Sequence, residues 1–274
     1  MNSKNPKVTV LMPVYNGEPY LREAIESILN QTFTDFEFLI INDGSTDRSV
    51  EIVESYTDPR IRLVHNEANL GLIATLNKGV ELAQGEYIAR MDSDDISLPQ
   101  RLSRQAKFLD ENSDCAVVAV KIVLINADGR ELGDWKGDRN ATTEDEIRRR
   151  LPIISCIAHP GVMIRKPIIA KYRYDPSQRY AEDYDLWLRI ASDGYQIAKI
   201  DEVLLKYRVH SAQVTSINNH VRFGLANVKI KANFLLGRIA KFKFGNFELR
   251  VLLGLFQDMV LLIPKLIAKS FVKN

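Results

Sequence analysis

The chain reads as an α/β protein built on a mostly parallel sheet flanked by helices, and three observations predict this. Short apolar runs alternate with amphipathic helical stretches through the first ~90 residues, the rhythm of a parallel sheet. The run Val8-Thr9-Val10-Leu11-Met12 is short and β-rich, and Phe36 to Ile41 is nearly continuous in apolar residues, as expected of a strand covered on both faces. Polar residues follow each run, and in an open α/β sheet such residues collect in the crevice at the carboxyl ends of the strands.

The first strand is expected to end at Pro13, which has no N–H to give to a central ladder. Gly17-Glu18-Pro19 opens a helix in which Leu21, Ile25, Ile28 and Leu29 recur at helical spacing. The second strand runs into the polar turn Asn42-Asp43-Gly44-Ser45-Thr46-Asp47, followed by a helix through Ile52 and Val53. Arg60 to Val64 gives a third strand, Leu72 to Ala83 a third helix, and Glu86-Tyr87-Ile88-Ala89 a fourth strand. Right-handed crossovers place Tyr15 and Asn16, Asp43, Asn66 and Asn69, and the acids after the fourth strand on one rim.

Those acids lie in Arg90-Met91-Asp92-Ser93-Asp94-Asp95. Three crowded carboxylates repel one another unless a cation neutralises them, and hard oxygen ligands suit Mg²⁺ or Mn²⁺. The same residues also read as a polar turn before a helix that begins near Pro99. An EF-hand is excluded, because the fifth, sixth and twelfth positions counted from Asp92 are Ile96, Ser97 and Ser103. Neither a G-x-G-x-x-G nor a G-x-x-x-x-G-K-[ST] loop occurs, so a bound nucleotide would need its diphosphate neutralised otherwise, as by Asp92 and Asp94 with a metal.

At 274 residues the chain has room for one large domain with an appendage. Its net charge of +2 hides an asymmetry, since residues 221–274 carry ten Lys/Arg against only Glu248 and Asp258. Such a tail suggests an anionic partner, a membrane surface or a nucleic acid. Val251 to Phe256 and Met259 to Ile263 are apolar but interrupted by Gln257-Asp258 and Pro264-Lys265, which suits an interfacial helix better than a spanning one. Three destinations stay open for the tail: an anionic membrane surface, a partner subunit, or its own catalytic domain. Cys115 and Cys156 have apolar surroundings and no C-x-x-C spacing, so buried thiols are expected rather than a zinc site or a disulfide. Met1 to Lys7 lacks the apolar core of a signal peptide, so a cytoplasmic protein is expected, peripheral on the inner face of the cell membrane if the tail binds there.

Taken together, four ordered motifs resemble those of the family 2 glycosyltransferases of the GT-A fold, of the bacterial surface-polysaccharide type. They are Val10-Leu11-Met12-Pro13-Val14-Tyr15-Asn16, Ile41 to Asp47, Asn69-Leu70-Gly71 with Asn77-Lys78-Gly79, and Ala89 to Asp95. The similarity continues through Ile96 to Leu102, His159-Pro160-Gly161, Ala181-Glu182-Asp183-Tyr184-Asp185-Leu186-Trp187-Leu188 and Tyr207-Arg208-Val209-His210-Ser211. It implies a GT-A domain over residues 1–215, with a nucleotide half to about residue 100 and an acceptor half beyond it. Residues 216–274 form a helical appendage outside the resemblance.

The family implies a nucleotide-sugar donor and Mn²⁺ or Mg²⁺ as cofactor. Pro13 and Tyr15 would line the base, and Asp43 would accept a hydrogen bond from it, unless Asp43 instead caps the next helix. Asn69, Arg90, Asp92 and Ser93 fall on the donor side. Asp94 would coordinate the metal, with Asp92 facing the metal or the ribose and His210 as a further ligand. Many members carry Arg where this chain has Leu76; Arg90, on the same side of the strand as Asp92, is the candidate replacement cation. Asp183 would act as general base on the acceptor hydroxyl, with Glu182 contacting the acceptor; both acids otherwise read as a helix start.

The expected activity is an inverting, metal-dependent transfer of a hexosyl or N-acetylhexosaminyl group from a nucleoside diphosphate, UDP by expectation, to a glycan or lipid-linked glycan. The Gln-x-x-Arg-Trp signature of processive synthases is missing, which favours single transfers. A glycoside hydrolase would also use paired carboxylates but would leave the Tyr15/Asp43 crevice without a use. A non-catalytic nucleic-acid-binding protein would explain the tail, yet no aromatic-basic stacking surface is evident and nucleic acid is not an expected partner. Arg148-Arg149-Arg150 reads as a solvated face, His159 as structural or functional alike, and the Gly129, Gly133, Trp135, Gly137 stretch as an acceptor loop.

Overall fold

The computed structural model describes residues 5–178, 180–210 and 220–271. Ser211 and the expected boundary at residues 215/216 lie outside them. In chain order the strands are β1 (Val8–Val14), β2 (Phe36–Asn42), β3 (Ile61–His65), β4 (Tyr87–Arg90), β5 (Ile96–Ser97), β6 (Cys115–Ile125), β7 (Glu131–Asp134), β8 (Val162–Arg165) and β9 (Gln196–Arg208). The helices are α1 (Leu21–Leu29), α2 (Ser49–Glu54), α3 (Leu72–Leu82), α4 (Arg101–Glu111), α5 (Glu144–Arg150), α6 (Lys166–Tyr172), α7 (Glu182–Ser192), α8 (His220–Ala240) and α9 (Asn246–Phe271).

One sheet runs β3-β2-β1-β4-β8-β6-β9-β5, with β7 paired to β6. The four strands of the first half are parallel, as the alternation with helices predicts. Beyond β4 the sheet becomes mixed: β8 is antiparallel to both β4 and β6, while β9 returns parallel to β6. Part of the expected acceptor loop is itself strand, since Glu131–Asp134 pairs back onto β6 across the turn at Gly129.

Pro13 does not end the first strand as expected, because β1 continues to Val14. The reason lies in the alternation of the ladder. Leu11 O faces β4, accepting from Met91 N, whereas Val14 O faces β2, accepting from Asp43 N. Pro13, two residues after Leu11, therefore turns its missing N–H toward the β4 side. There the pairing has already stopped at Arg90, so no hydrogen bond is lost.

Both faces of the sheet are covered. Leu11, Leu39 and Ile41 point into one apolar cluster and Val10, Met12, Phe38 and Ile40 into the other, which is why β1 and β2 read as continuous apolar runs. The first cluster holds Leu76, fully buried on α3. Gly79 lets α3 approach β1, for a Cβ there would lie 2.3 Å from Leu11 Cδ1.

The tail folds back. α8 and α9 pack together and insert Ile230, Phe234, Phe247 and Val251 into the cluster that contains Trp187 and Ile147. Lys231 Nζ, buried, donates to Ile153 O at 2.6 Å and Asp258 Oδ2 at 2.7 Å, and Arg238 links Asp193 (2.6 Å) to Glu248 (3.0 Å). The inner face of the tail thus meets the α/β domain of its own chain. Cys115 and Cys156 are buried free thiols, each pushed up to about 11 by burial.

Candidate active site

The carboxyl ends of β1 and β2 are laced together before any charge is considered. Asn16, held at φ +50°, accepts from Thr46 N at 2.8 Å through its side chain, while its own N–H donates to Ser45 Oγ at 3.0 Å. Tyr15 is left half exposed at the rim beside Pro13. Asp43 is buried, but it does not cap α2, which starts from Arg48. Its oxygens accept from Asn66 Nδ2 (2.7 Å), Leu70 N (2.9 Å) and Gly71 N (2.9 Å), which ties β2 to the loop before α3. Lys78 extends this network by donating to Asn66 Oδ1 at 2.7 Å. Asn69 is exposed on that loop, and its side-chain oxygen accepts from Gly71 N at 3.0 Å.

At the end of β4 the acids converge. Asp92, Asp94 and Asp95 each offer an oxygen such that these atoms lie within 4.8 Å of one another. Asp95 is buried; Oδ1 accepts from Arg208 N at 2.9 Å, while Oδ2 has no hydrogen-bond partner among the described residues. Burial, then the charges of Asp94 and Asp92, hold its carboxyl well above the usual range. An orphaned buried oxygen within a triad of repelling acids fits a hard divalent cation, with Asp92 and Asp94 reaching it from the more open side. Ser93 Oγ packs against Gly17, where an added Cβ would lie 3.2 Å from it, a tight contact.

His210 closes this corner, with Nε2 2.9 Å from Asp94 Oδ2 and its ring 5.0 Å from that of Tyr20. Arg208, buried at the end of β9, holds the acidic loop from behind. Its Nε donates to Asp94 O at 2.8 Å, its terminal nitrogens reach Glu23 and Ala127 O, and its guanidinium lies 4.6 Å from the Tyr20 ring centroid.

Arg90 is buried beside the triad, with Nη1 2.5 Å from Asp92 Oδ1. That ion pair leaves Nε without a hydrogen-bond partner among the described residues. Leu76 cannot supply a cation or reach the cleft, being packed in the core. Arg90 is thus a buried cation against the acidic turn, as Arg208 is.

α7 brings the second pair of acids to the same place. Ala181 precedes it at φ +55°, a conformation unfavourable for a residue with a Cβ, and turns the chain so that Glu182 and Asp183 start the helix. Neither acid caps it. Burial pushes the Asp183 carboxyl up to about 7, with the Glu182 charge adding to the effect and Arg90 opposing it. Burial also raises Glu182, on which both Arg90 and Asp92 act, so the two acid groups share one electrostatic environment.

His159 sits behind Glu182, Nδ1 to Oε1 3.9 Å, and its Nε2 is 2.8 Å from the Tyr174 hydroxyl. Burial and the Arg90 charge keep its imidazole neutral. Tyr174 is fixed in turn by Asn77, whose amide donates to Tyr174 O (2.8 Å) and accepts from Tyr174 N (3.0 Å). Sequence reasoning missed Asp95 as a separate group, although it stood in the acidic run. It missed Arg208 and Tyr174 altogether; Arg208 had only its place in the last motif as a signal, and Tyr174 had none.

The structure thus gathers Arg90, Asp92, Asp94, Asp95, Glu182, Asp183 and His210 at one end of the sheet, with Pro13, Tyr15 and Asp43 at the neighbouring strand ends. Comparison with known proteins bears on what such a cleft serves. The model of Glycosyl transferase family 2 matches residues 9–173. The O-antigen biosynthesis glycosyltransferase WbnJ of Escherichia coli is 36% identical over 208 residues, 74% of this chain and 80% of its own. Residues 1–349 of TarS from S. aureus, solved in complex with UDP, share the fold at a TM-score of 0.65 and 23% identity, over 84% of this chain and 65% of that one. The mannosyltransferase PcManGT from Pyrobaculum calidifontis, solved with GDP-Man and Mn²⁺, matches at a TM-score of 0.66 and 17% identity, over 92% of this chain and 69% of its own.

Proposed function

This chain belongs to glycosyl transferase family 2 and has the GT-A fold, and from that premise we propose an inverting, metal-dependent transfer of one sugar from a nucleoside diphosphate to a hydroxyl. The observation that supports it most is that two acid groups lie within electrostatic reach of Arg90: a triad suited to a cation and a carboxyl pushed up to about 7. UDP is the proposed nucleotide, a choice supported by the UDP held by TarS, while GDP in PcManGT makes the base a point for experiment.

In this reading the base lies against Tyr15 and Pro13 and reaches Asp43 Oδ2, with Asn69 on the loop beside it. Asp92, Asp94 and Asp95 would hold Mn²⁺ or Mg²⁺, with His210 against Asp94 and Ser93 lining the same turn. When bound, such an ion supplies charge stabilisation for the departing diphosphate. Arg90 adds a fixed positive charge on the same side, placed in a dry site where it counts for more than in water.

Asp183 would take the acceptor hydroxyl proton as the oxygen attacks the anomeric carbon and the bond from that carbon to the diphosphate breaks. With its carboxyl pushed up to about 7, it is a stronger base than an ordinary carboxylate and still substantially ionised at neutral pH. Glu182, buried against His159, would position the acceptor. One displacement inverts the anomeric configuration. The acceptor proposed is a glycan or lipid-linked glycan of a surface polysaccharide, in keeping with the name of the O-antigen relative. The basic tail would bring the protein to the cytoplasmic face of the membrane.

The test is release of nucleoside diphosphate from UDP-, GDP- and dTDP-sugars with Mn²⁺ or Mg²⁺. Metal-dependent turnover of one donor is expected, and Asp183→Asn should abolish transfer while sparing donor binding. Retained transfer by that variant would refute the assignment of the base.

A further inference from the structure

Both acids of the tail point inward. Glu248 is buried against Arg238, and Asp258 pairs with buried Lys231. The outward charges left on the tail are therefore all basic, among them Arg222, Lys229, Lys241 and Arg250, which are exposed. Between them lies an apolar surface. On α9, Leu249, Leu252, Leu253, Phe256, Val260 and Ile263 recur three or four residues apart, and each is at least 44% exposed. They form a second apolar stripe, opposite the one on which Phe247 and Val251 are buried against the domain and Leu262 against α8 at Gly224.

At the tip of the hairpin, Lys241-Phe242-Lys243-Phe244 alternates basic and aromatic residues, and Phe242 is 99% exposed. Beside the start of α9 a cavity of about 400 Å³ is lined by Arg148, Arg149 and Arg250, with Asp145 as its single acid. Arg250 stands on the flank of the outer stripe, so this basic cavity borders the apolar surface.

We propose that the outer face of the α8–α9 hairpin docks on an anionic lipid bilayer, lying in the interface with Phe242 and Phe256 among the acyl chains and the arginine-lined cavity receiving a lipid phosphate. Charge selects this occupant. A second copy would set one predominantly basic rim against another, whereas anionic headgroups complement it. No helix among the described residues is long and apolar enough to cross a membrane, which is consistent with a helix lying flat. The inference refines the membrane reading given above, independently of the cleft chemistry.

The experiment is flotation of the full chain with phosphatidylcholine vesicles, with and without phosphatidylglycerol, alongside donor turnover in solution. Wild type should float with the anionic vesicles. Leu253→Glu combined with Phe256→Glu should abolish flotation, and Arg149→Glu with Arg250→Glu should weaken it by tenfold or more, since each basic residue near such a surface is worth roughly fivefold. Both variants should keep wild-type thermal melts and donor turnover. The proposal is overturned if wild type stays unbound to both vesicle types, or if the Leu253/Phe256 variant floats as wild type does. It is equally overturned if that variant loses only a concentration-dependent dimer, which would assign the stripe to a second copy. Loss of flotation with turnover intact leaves the transferase reading standing; flotation without turnover of any donor does the reverse.

Discussion

His210 Nε2 lies 2.9 Å from Asp94 Oδ2, joining the end of the last strand to the acidic turn that follows β4. The Tyr20 ring, 5.0 Å away, holds the imidazole in that orientation. A histidine fixed against one acid of a triad either ligates the cation itself or orients the carboxylate that does. In both cases His210→Ala should weaken Mn²⁺ binding by about 10- to 100-fold, read by calorimetric titration with UDP present. An unchanged Mn²⁺ affinity would remove His210 from the site.

As the proposed base, Asp183 should make the activity depend on pH. Only the carboxylate accepts a proton, so turnover should rise as pH passes through about 7 and level off above it. Stability should move the other way. Because the folded carboxyl titrates far above its ordinary 3.8, the native state binds this proton more tightly than the unfolded chain does. The contribution is present at low pH and is lost between that ordinary value and about 7. Asp183→Asn should accordingly raise the melting temperature at pH 8 and leave it nearly unchanged below pH 4, a comparison that thermal denaturation at the two pH values makes directly.

Arg90 offers a discriminating pair of measurements. Arg90→Ala should weaken UDP binding in the presence of Mn²⁺ by about tenfold or more, the loss expected for a contact to a charged group. Mn²⁺ binding alone should be unchanged or tighter, because Asp92 loses its competing partner. Equal UDP affinity in both proteins would confine Arg90 to pairing with Asp92.

Leu76 should behave as core and nothing else. Leu76→Ala is expected to cost about 2–5 kcal/mol in urea denaturation, the usual range for emptying a buried site, with no change in KM for the donor. A selective rise in that KM would place Leu76 at the donor instead.

How much of this was legible in the sequence follows from where each signal resides. The parallel half was readable because strands covered on both faces are continuously apolar, and the polar residues at their ends are local to those strands. Pro13 misled because its cost depends on whether a neighbouring strand is still present at that level, which only the pairing of β1 with β4 decides. The acidic run announced itself by composition, and the Glu182-Asp183 pair by its resemblance to a family motif. Their union did not, since Arg208 and His210 reach back more than a hundred residues to hold the triad. Tyr174 carried no local signal, because its place comes from the Asn77 amide. The tail was readable as basic and apolar, but its division into a packed inner face and an apolar outer one required knowing which side of α9 meets the domain.

The central claim, that carboxylates at the end of β4 hold a divalent ion which makes the nucleotide site, is tested most directly by calorimetric titration of UDP into the full chain with Mn²⁺ or with EDTA, for wild type and Asp94→Asn. The account predicts binding to wild type only with Mn²⁺ and little to the variant under either condition. UDP affinity that is the same with EDTA as with Mn²⁺, and is untouched by Asp94→Asn, would contradict it.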